Sequence, residues 1–292
     1  MKAELLVDSK CTLGEGVQWN ADHARLWWTD IHGKALWSCD EDGGAVETVP
    51  CPERLGSFAF DAENRLLAAF ESGLFRWDIE GGRLERLTHF EPDHPTSRLN
   101  DGRCDRQGRF LTGGIDEDGL KPTSSLIRYA DGRQETLETG ISVTNSICFS
   151  PDGRWIYFAD TPTQMIRRYP YDTETGAMGA PEDFHACEGK RNFPDGACVD
   201  ASGALWSARF WGGIVQEVTP DGRAGRRIEV EAPQVTCCCF GGKALDRLYV
   251  TTAREHFTPE QEAAHPLSGG LFVAEPGAKG LPETRFAGRL FG

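Results

Sequence analysis

Arg109-Phe110-Leu111-Thr112 is one of six versions of a single phrase, and the spacing of those versions decides the fold. The others are Arg25-Leu26-Trp27-Trp28, Arg65-Leu66-Leu67-Ala68, Trp155-Ile156-Tyr157-Phe158, Ala204-Leu205-Trp206-Ser207 and Arg247-Leu248-Tyr249-Val250. Each follows a turn carrying Asp or Gly and reads as a short strand. From Leu26 through Leu66, Phe110, Ile156 and Leu205 to Leu248 the intervals are 40, 44, 46, 49 and 43 residues. Periods of about 40 to 50 residues are those of four-stranded propeller blades.

The flanking sequence fills out each unit in the same order. An apolar strand precedes the phrase, as in Gly16 to Trp19, Ser146 to Phe149 or Gly196 to Val199. Another follows it, as in Ser125-Leu126-Ile127-Arg128-Tyr129, and a more polar strand such as Arg226-Arg227-Ile228-Glu229-Val230 ends most units. The prediction is an all-β, six-bladed β-propeller with four-stranded antiparallel blades, occupying residues 1–292 as one domain. A strand at Glu4 to Val7 is expected to pair beside Gly270 to Ala274 and remove the last free edge. One short helix is predicted near Thr258-Pro259, with Thr258 as N-cap and Pro259 at the first helical position.

Composition narrows the class of function. The 292 residues carry a formal net charge of -14, which argues against nucleic-acid binding, whose footprint is a basic face. No apolar run approaches the roughly 18 residues of a membrane span, and the first residues lack the apolar core of a signal peptide. The ten cysteines fall largely at strand-interior positions and read as reduced, buried thiols. A metal site at Cys237-Cys238-Cys239 is the sharper alternative, although zinc sites use spaced pairs. The expectation is a cytoplasmic protein acting as a monomer.

The repeat also locates a site. Counting back 10 or 11 residues from the anchor of each unit gives Glu15, Asn100, Asn145 and Asp195, each just before or at the start of an innermost strand. Innermost strands line the central channel and begin at the same mouth, so these four should converge. Alone, any of them reads as an ordinary turn residue. Together, two carboxylates and two amides make a hard-oxygen site suited to one divalent metal ion: Ca²⁺, Mg²⁺ or Mn²⁺, with Zn²⁺ or Fe²⁺ also accepted.

Leu13-Gly14-Glu15-Gly16, Arg98-Leu99-Asn100-Asp101-Gly102, Thr144-Asn145-Ser146, Ser150-Pro151-Asp152-Gly153 and Pro194-Asp195-Gly196 resemble the signature stretches of the SMP-30/gluconolactonase family. The tail of the chain looks closest to its bacterial aldonolactonase branch. The resemblance implies metal-dependent hydrolysis of a sugar-acid lactone, either an aldono-1,4- or a 1,5-lactone. It implies Glu15, Asn145 and Asp195 as metal ligands, Arg98 and Asn100 as substrate contacts, and Asp195 as general base. It also implies an acidic substrate contact after the second strand of the third unit, read here as Asp116 with Glu117 one register step away. Two other readings stay open: hydrolysis of another ester or a phosphotriester on the same metal, and a metal-binding scaffold without catalysis. The tryptophans read as core, although Trp211 lies late enough on its strand to reach the mouth. The histidines share no repeat position and are assigned no role.

Overall fold

A computed structural model describes residues 1–291. Four antiparallel sheets of four strands follow one another along the chain. The first comprises Gly14–Asn20, Arg25–Asp30, Ala35–Asp40 and Glu47–Pro50, and the second Leu55–Phe60, Leu66–Phe70, Gly73–Asp78 and Arg83–Arg86. The third comprises Ser97–Cys104, Phe110–Asp116, Ser124–Ala130 and Arg133–Ile141, and the fourth Thr144–Phe149, Trp155–Asp160, Met165–Pro170 and Glu182–Ala186. The remaining strands form one curled, eight-stranded sheet. Within it Phe193–Val199, Leu205–Phe210, Ile214–Val218 and Ala224–Glu229 pair in sequence, as do Gln234–Gly241, Arg247–Ala253 and Leu271–Ala274. The two groups meet at the single pair Phe210 and Gln234. Glu4–Val7 pairs with Leu271–Ala274, as expected from the sequence. The fold is therefore all-β and propeller-like, with four-stranded antiparallel blades.

The repeated phrase has a local cause. Asp105 Oδ1 accepts from the backbone of Gln107 and Arg109, both at 2.9 Å, while Arg109 Nε donates to the other oxygen. Asp61 does the same for Glu63 and Arg65. Asp200 closes the equivalent turn on Ser202 and Ala204. The acid thus folds the tight turn between the first two strands of these units; Arg65 and Arg109 neutralise it in two of them, and Trp206 Nε1 donates to Asp200 in the third. Strand alternation then buries Leu66, Phe110, Ile156, Leu205 and Leu248 between sheets, each burial contributing about 1.5–3 kcal/mol. The outermost strands Glu47–Pro50 and Arg83–Arg86 are exposed and polar.

All ten cysteines are free and buried. Cys237 and Cys239 face one core cluster and Cys238 another, so the triplet points to opposite sides of its strand and cannot clasp one ion. The predicted helix spans Pro259–Ala264, and Thr258 and Gln261 cap it reciprocally.

The six first strands pack each against the next, and Gln234–Gly241 closes back on Gly14–Asn20, so they surround a common axis. Close approach at that axis needs glycine. A Cβ on Gly56 would stand 2.5 Å from Leu99 O, and one on Gly196 would stand 2.6 Å from Cys237 Sγ. At the end of the axis away from Glu15 and Asp195, the tail segment Leu281, Pro282 and Glu283 joins Arg103 and the inner-strand thiols of Cys104, Cys148, Cys198 and Cys239 around a small cavity. Arg103 Nη1 binds Glu283 there at 2.8 Å.

Candidate functional site

Every first strand breaks its pairing register at the same level. The irregularities fall between Glu15 and Gln18, Leu55 and Ser57, Leu99 and Gly102, Asn145 and Cys148, Pro194 and Ala197, and Val235 and Cys237. A bulge re-aims the side chains beside it. Here it turns Glu15, Asn100, Asn145 and Asp195 away from sheet packing and towards the axis. At Gly16 (φ 59) and Ser146 (φ 60) the residue after the site residue takes the left-handed conformation that such a kink requires.

Glu15 and Asp195 meet in a buried side-chain contact. Glu15 Oε2 accepts from Gly16 N at 2.9 Å, and Asp195 Oδ1 accepts from Gly196 N at 3.1 Å. Burial, then the carboxylate of Asp101, pushes Glu15 up to about 8. Burial, then the carboxylate of Glu15, pushes Asp195 well above the usual carboxylate range. Two acids taken out of water against one another hold on to protons unless a cation replaces them. Asp101, beside Asn100, faces the other way: its carboxylate accepts from Gly102 N and Ile147 N and ties two inner strands together.

The amides continue the ring. Asn145 Nδ2 donates to Thr161 Oγ1 at 2.8 Å, and Thr161 in turn donates to Pro194 O at 2.9 Å. Because the Thr161 proton is committed to that carbonyl, Thr161 can only accept from Asn145, which fixes the amide with its oxygen turned inward. That oxygen meets Asn100 Nδ2 at 3.4 Å, and Asn100 Oδ1 accepts from Arg98 Nη1 at 2.7 Å. Arg98, only 3% exposed, also donates through Nε to Glu117 Oε1 at 2.8 Å. Arg98, Asn100 and Asn145 thus form one string leading to the acids.

Asp116 is not part of it. Its carboxylate accepts from Thr96 Oγ1 at 2.7 Å and from Lys121 N at 3.0 Å, closing the turn that follows its strand. Glu117, the next residue, reaches Arg98 and Arg54 instead. Strand alternation is the reason: one register step exchanges the two faces. The structure thus brings Glu117 rather than Asp116 to Arg98. Thr161 and the pair of His32 with Glu255, whose atoms Nε2 and Oε1 lie 2.6 Å apart, are additional groups at this end of the molecule. Histidines without a repeat position carried no signal in the sequence.

No three His, Cys, Asp or Glu side chains form a metal-binding group among the described residues. The converging set offers two carboxylates and an inward amide oxygen. Its chemistry fits a hard divalent cation: two carboxylates stand beside an amide oxygen, and neither acid has an ion-pair partner among the described residues.

A family profile described as the SMP-30/Gluconolactonase/LRE-like region matches residues 13–254. The chain belongs to this family. The family's 6-deoxy-6-sulfogluconolactonase from Pseudomonas putida is 36% identical over 287 residues, covering 97% of this chain and 98% of the relative. The L-arabinolactonase of Azospirillum brasilense is 37% identical over 292 residues, covering 98% and 96%. Among solved structures, a calcium-binding protein, regucalcin, from Agrobacterium tumefaciens superimposes with a TM-score of 0.93 at 32% identity, covering 98% of this chain and 97% of that one.

Proposed function

We propose that the protein is a sugar lactonase that opens an aldono-1,4- or 1,5-lactone to the aldonic acid, with one divalent cation held by Glu15, Asn145 and Asp195. The observation that carries this reading is the buried contact of two protonation-prone carboxyls beside an amide oxygen that Thr161 fixes inward. Relatives named as lactonases over nearly the whole chain support the choice of substrate class, and the calcium-binding neighbour supports a divalent ion. The same reading counts the curled sheet as two blades, giving six in one domain over residues 1–292. It places the protein in cytoplasmic sugar catabolism, where ten free thiols stay reduced.

When bound, the ion supplies positive charge for the lactone carbonyl oxygen and acidifies water. Asp195 takes the proton of the attacking water, a role typically worth about 10²–10⁴-fold. Its Oδ1 accepts from Gly196 N, which orients the carboxylate beside Glu15. Arg98 spends Nε on Glu117 and Nη1 on Asn100 and Leu99 O, leaving Nη2 without a protein acceptor among the described residues. That N–H is aimed at a substrate oxygen, and Glu117 and Asn100 keep it in place.

The test is lactone opening on a panel of aldono-1,4- and 1,5-lactones, with a phosphotriester included, before and after chelation. Expected are opening of at least one sugar lactone, its loss on chelation and its return with a divalent ion. A folded, cation-loaded protein that opens none of them overturns the reading.

A further inference from the structure

The mouth has a second side, across from Arg98, that the proposed chemistry does not use. The register pair Glu15 and Thr29 puts the turn after Arg25–Asp30, with His32, at the level of Glu15. The pair Gln234 and Ala253 puts the segment carrying Glu255 at the same end. The pairs of Phe193 with Phe210 and Pro194 with Arg209 put the turn at Trp211 beside Asp195. Three loops from distant parts of the chain therefore rise around one rim.

They are built together. His32 Nε2 meets Glu255 Oε1 at 2.6 Å, and Gln234 Nε2 donates to Glu255 O at 2.9 Å. Gln234 is only 1% exposed, and its Oε1 has no partner among the described residues. That oxygen is closed off from solvent, so Gln234 serves the rim by holding the backbone of Glu255. Phe210 packs on the cluster of Leu13, Ile31 and Ala253, which holds it directly above the strand that delivers Glu15. Ring centroids run from Phe210 to Trp211 at 5.8 Å and from Trp211 to Phe257 at 6.0 Å, making a continuous aromatic wall. Trp211 stands at φ 64, a conformation costly for a bulky residue, and Arg191 covers its ring at 4.0 Å. Backbone cost of this kind concentrates where a side chain must be placed for function. Burial opposes ionisation of Glu255, yet His32, with His256 and Arg98, holds its carboxyl below the ordinary value.

We infer that His32 and the wall of Phe210, Trp211 and Phe257 form a subsite for the hydroxyl-bearing carbons of the substrate beyond the reacting ester, with Glu255 as the positioning residue for His32 and Gln234 holding Glu255 in place. The inference rests on the sugar-lactone reading. Its chemistry matches a polyol: the aromatic rings take C–H surface and the imidazole serves a hydroxyl. Glu255 occupies Nε2, which leaves Nδ1 as the ring nitrogen for that hydroxyl.

The experiment crosses a substrate change with a protein change. Rates are measured on the cation-loaded full chain with an aldono-1,4-lactone and its analogue lacking the exocyclic hydroxyl, for wild type, His32→Ala and Trp211→Ala. Losing the hydroxyl is expected to cost the wild type about tenfold in kcat/KM, and His32→Ala to cost about tenfold on the full substrate through KM. Losing both should cost about tenfold in total, because they remove one interaction. Trp211→Ala should raise KM for both substrates with kcat within threefold. Glu255→Gln, with a melting temperature within a few degrees of wild type, should raise KM on the full substrate alone and stands in if His32→Ala does not fold. A hundredfold combined loss, or no loss in either single change, overturns the subsite while leaving the lactonase intact. A wild type inactive on every lactone overturns both.

Discussion

Replacing Asp195 by Asn should make the cation-free protein more stable while abolishing turnover, and the gain should grow with pH. Asp195 is 5% exposed, and inside the fold it keeps its proton well above the ordinary value of 3.8. In the unfolded chain it ionises near that ordinary value. Between the two, the native state binds more protons than the unfolded state, so stability falls as pH rises and stops falling only above the folded value. The slope is about 1.4 kcal/mol per pH unit per carboxyl. From pH 5 to pH 7 the aspartate therefore costs the native state at most about 3 kcal/mol that an asparagine does not, the cost growing with pH until the folded value is passed. With about 2–4 °C per kcal/mol for a chain of this order of size, the variant's advantage should widen over that interval by several degrees, with a ceiling of about 12 °C. Thermal melts in excess chelator at pH 5 and pH 7 read this directly. A millimolar divalent ion should reverse the ranking at pH 7, because it replaces the protons in the wild type and has lost a ligand in the variant. A difference between the two proteins that is the same at both pH values would refute the account of Asp195 as a buried, proton-retaining ligand.

Other outcomes follow from single contacts. Glu117→Gln should raise KM about tenfold by loosening Arg98, a charge-assisted bond at 2.8 Å, whereas Asp116→Asn should alter melting temperature and leave KM within twofold; equal kinetic effects would restore Asp116 to the site. Thr161→Val should free the Asn145 amide to turn over and weaken divalent-ion affinity about 10- to 100-fold in a calorimetric titration. Unchanged affinity would mean that Asn145 is not a ligand. Gly196→Ala should destabilise by about 1–3 kcal/mol in denaturant melts, because its Cβ would stand 2.6 Å from Cys237 Sγ on the neighbouring inner strand.

The sequence by itself determined the repeating unit and the positions that converge. The anchors from Leu26 to Leu248 recur because each unit needs a tight turn, closed by Asp61, Asp105 and Asp200 in three units and by Asn20 in the first, and the same buried strand, and those are local requirements of composition and alternation. Offsets of 10 or 11 residues from the anchors then brought Glu15, Asn100, Asn145 and Asp195 to one level, although 180 residues separate the first from the last. The tertiary structure alone decided which way side chains point once a strand has ended. Asp116 and Glu117 are adjacent, and only the observed register sends the first into a turn and the second to Arg98. Thr161 lies just beyond its strand, opening the 3-10 turn Thr161–Thr163, so no periodicity marks it. His32 and Glu255 are 223 residues apart and occupy no common repeat position. Their meeting depends on the last strands closing back on the first, a contact between the ends of the chain that no local pattern encodes.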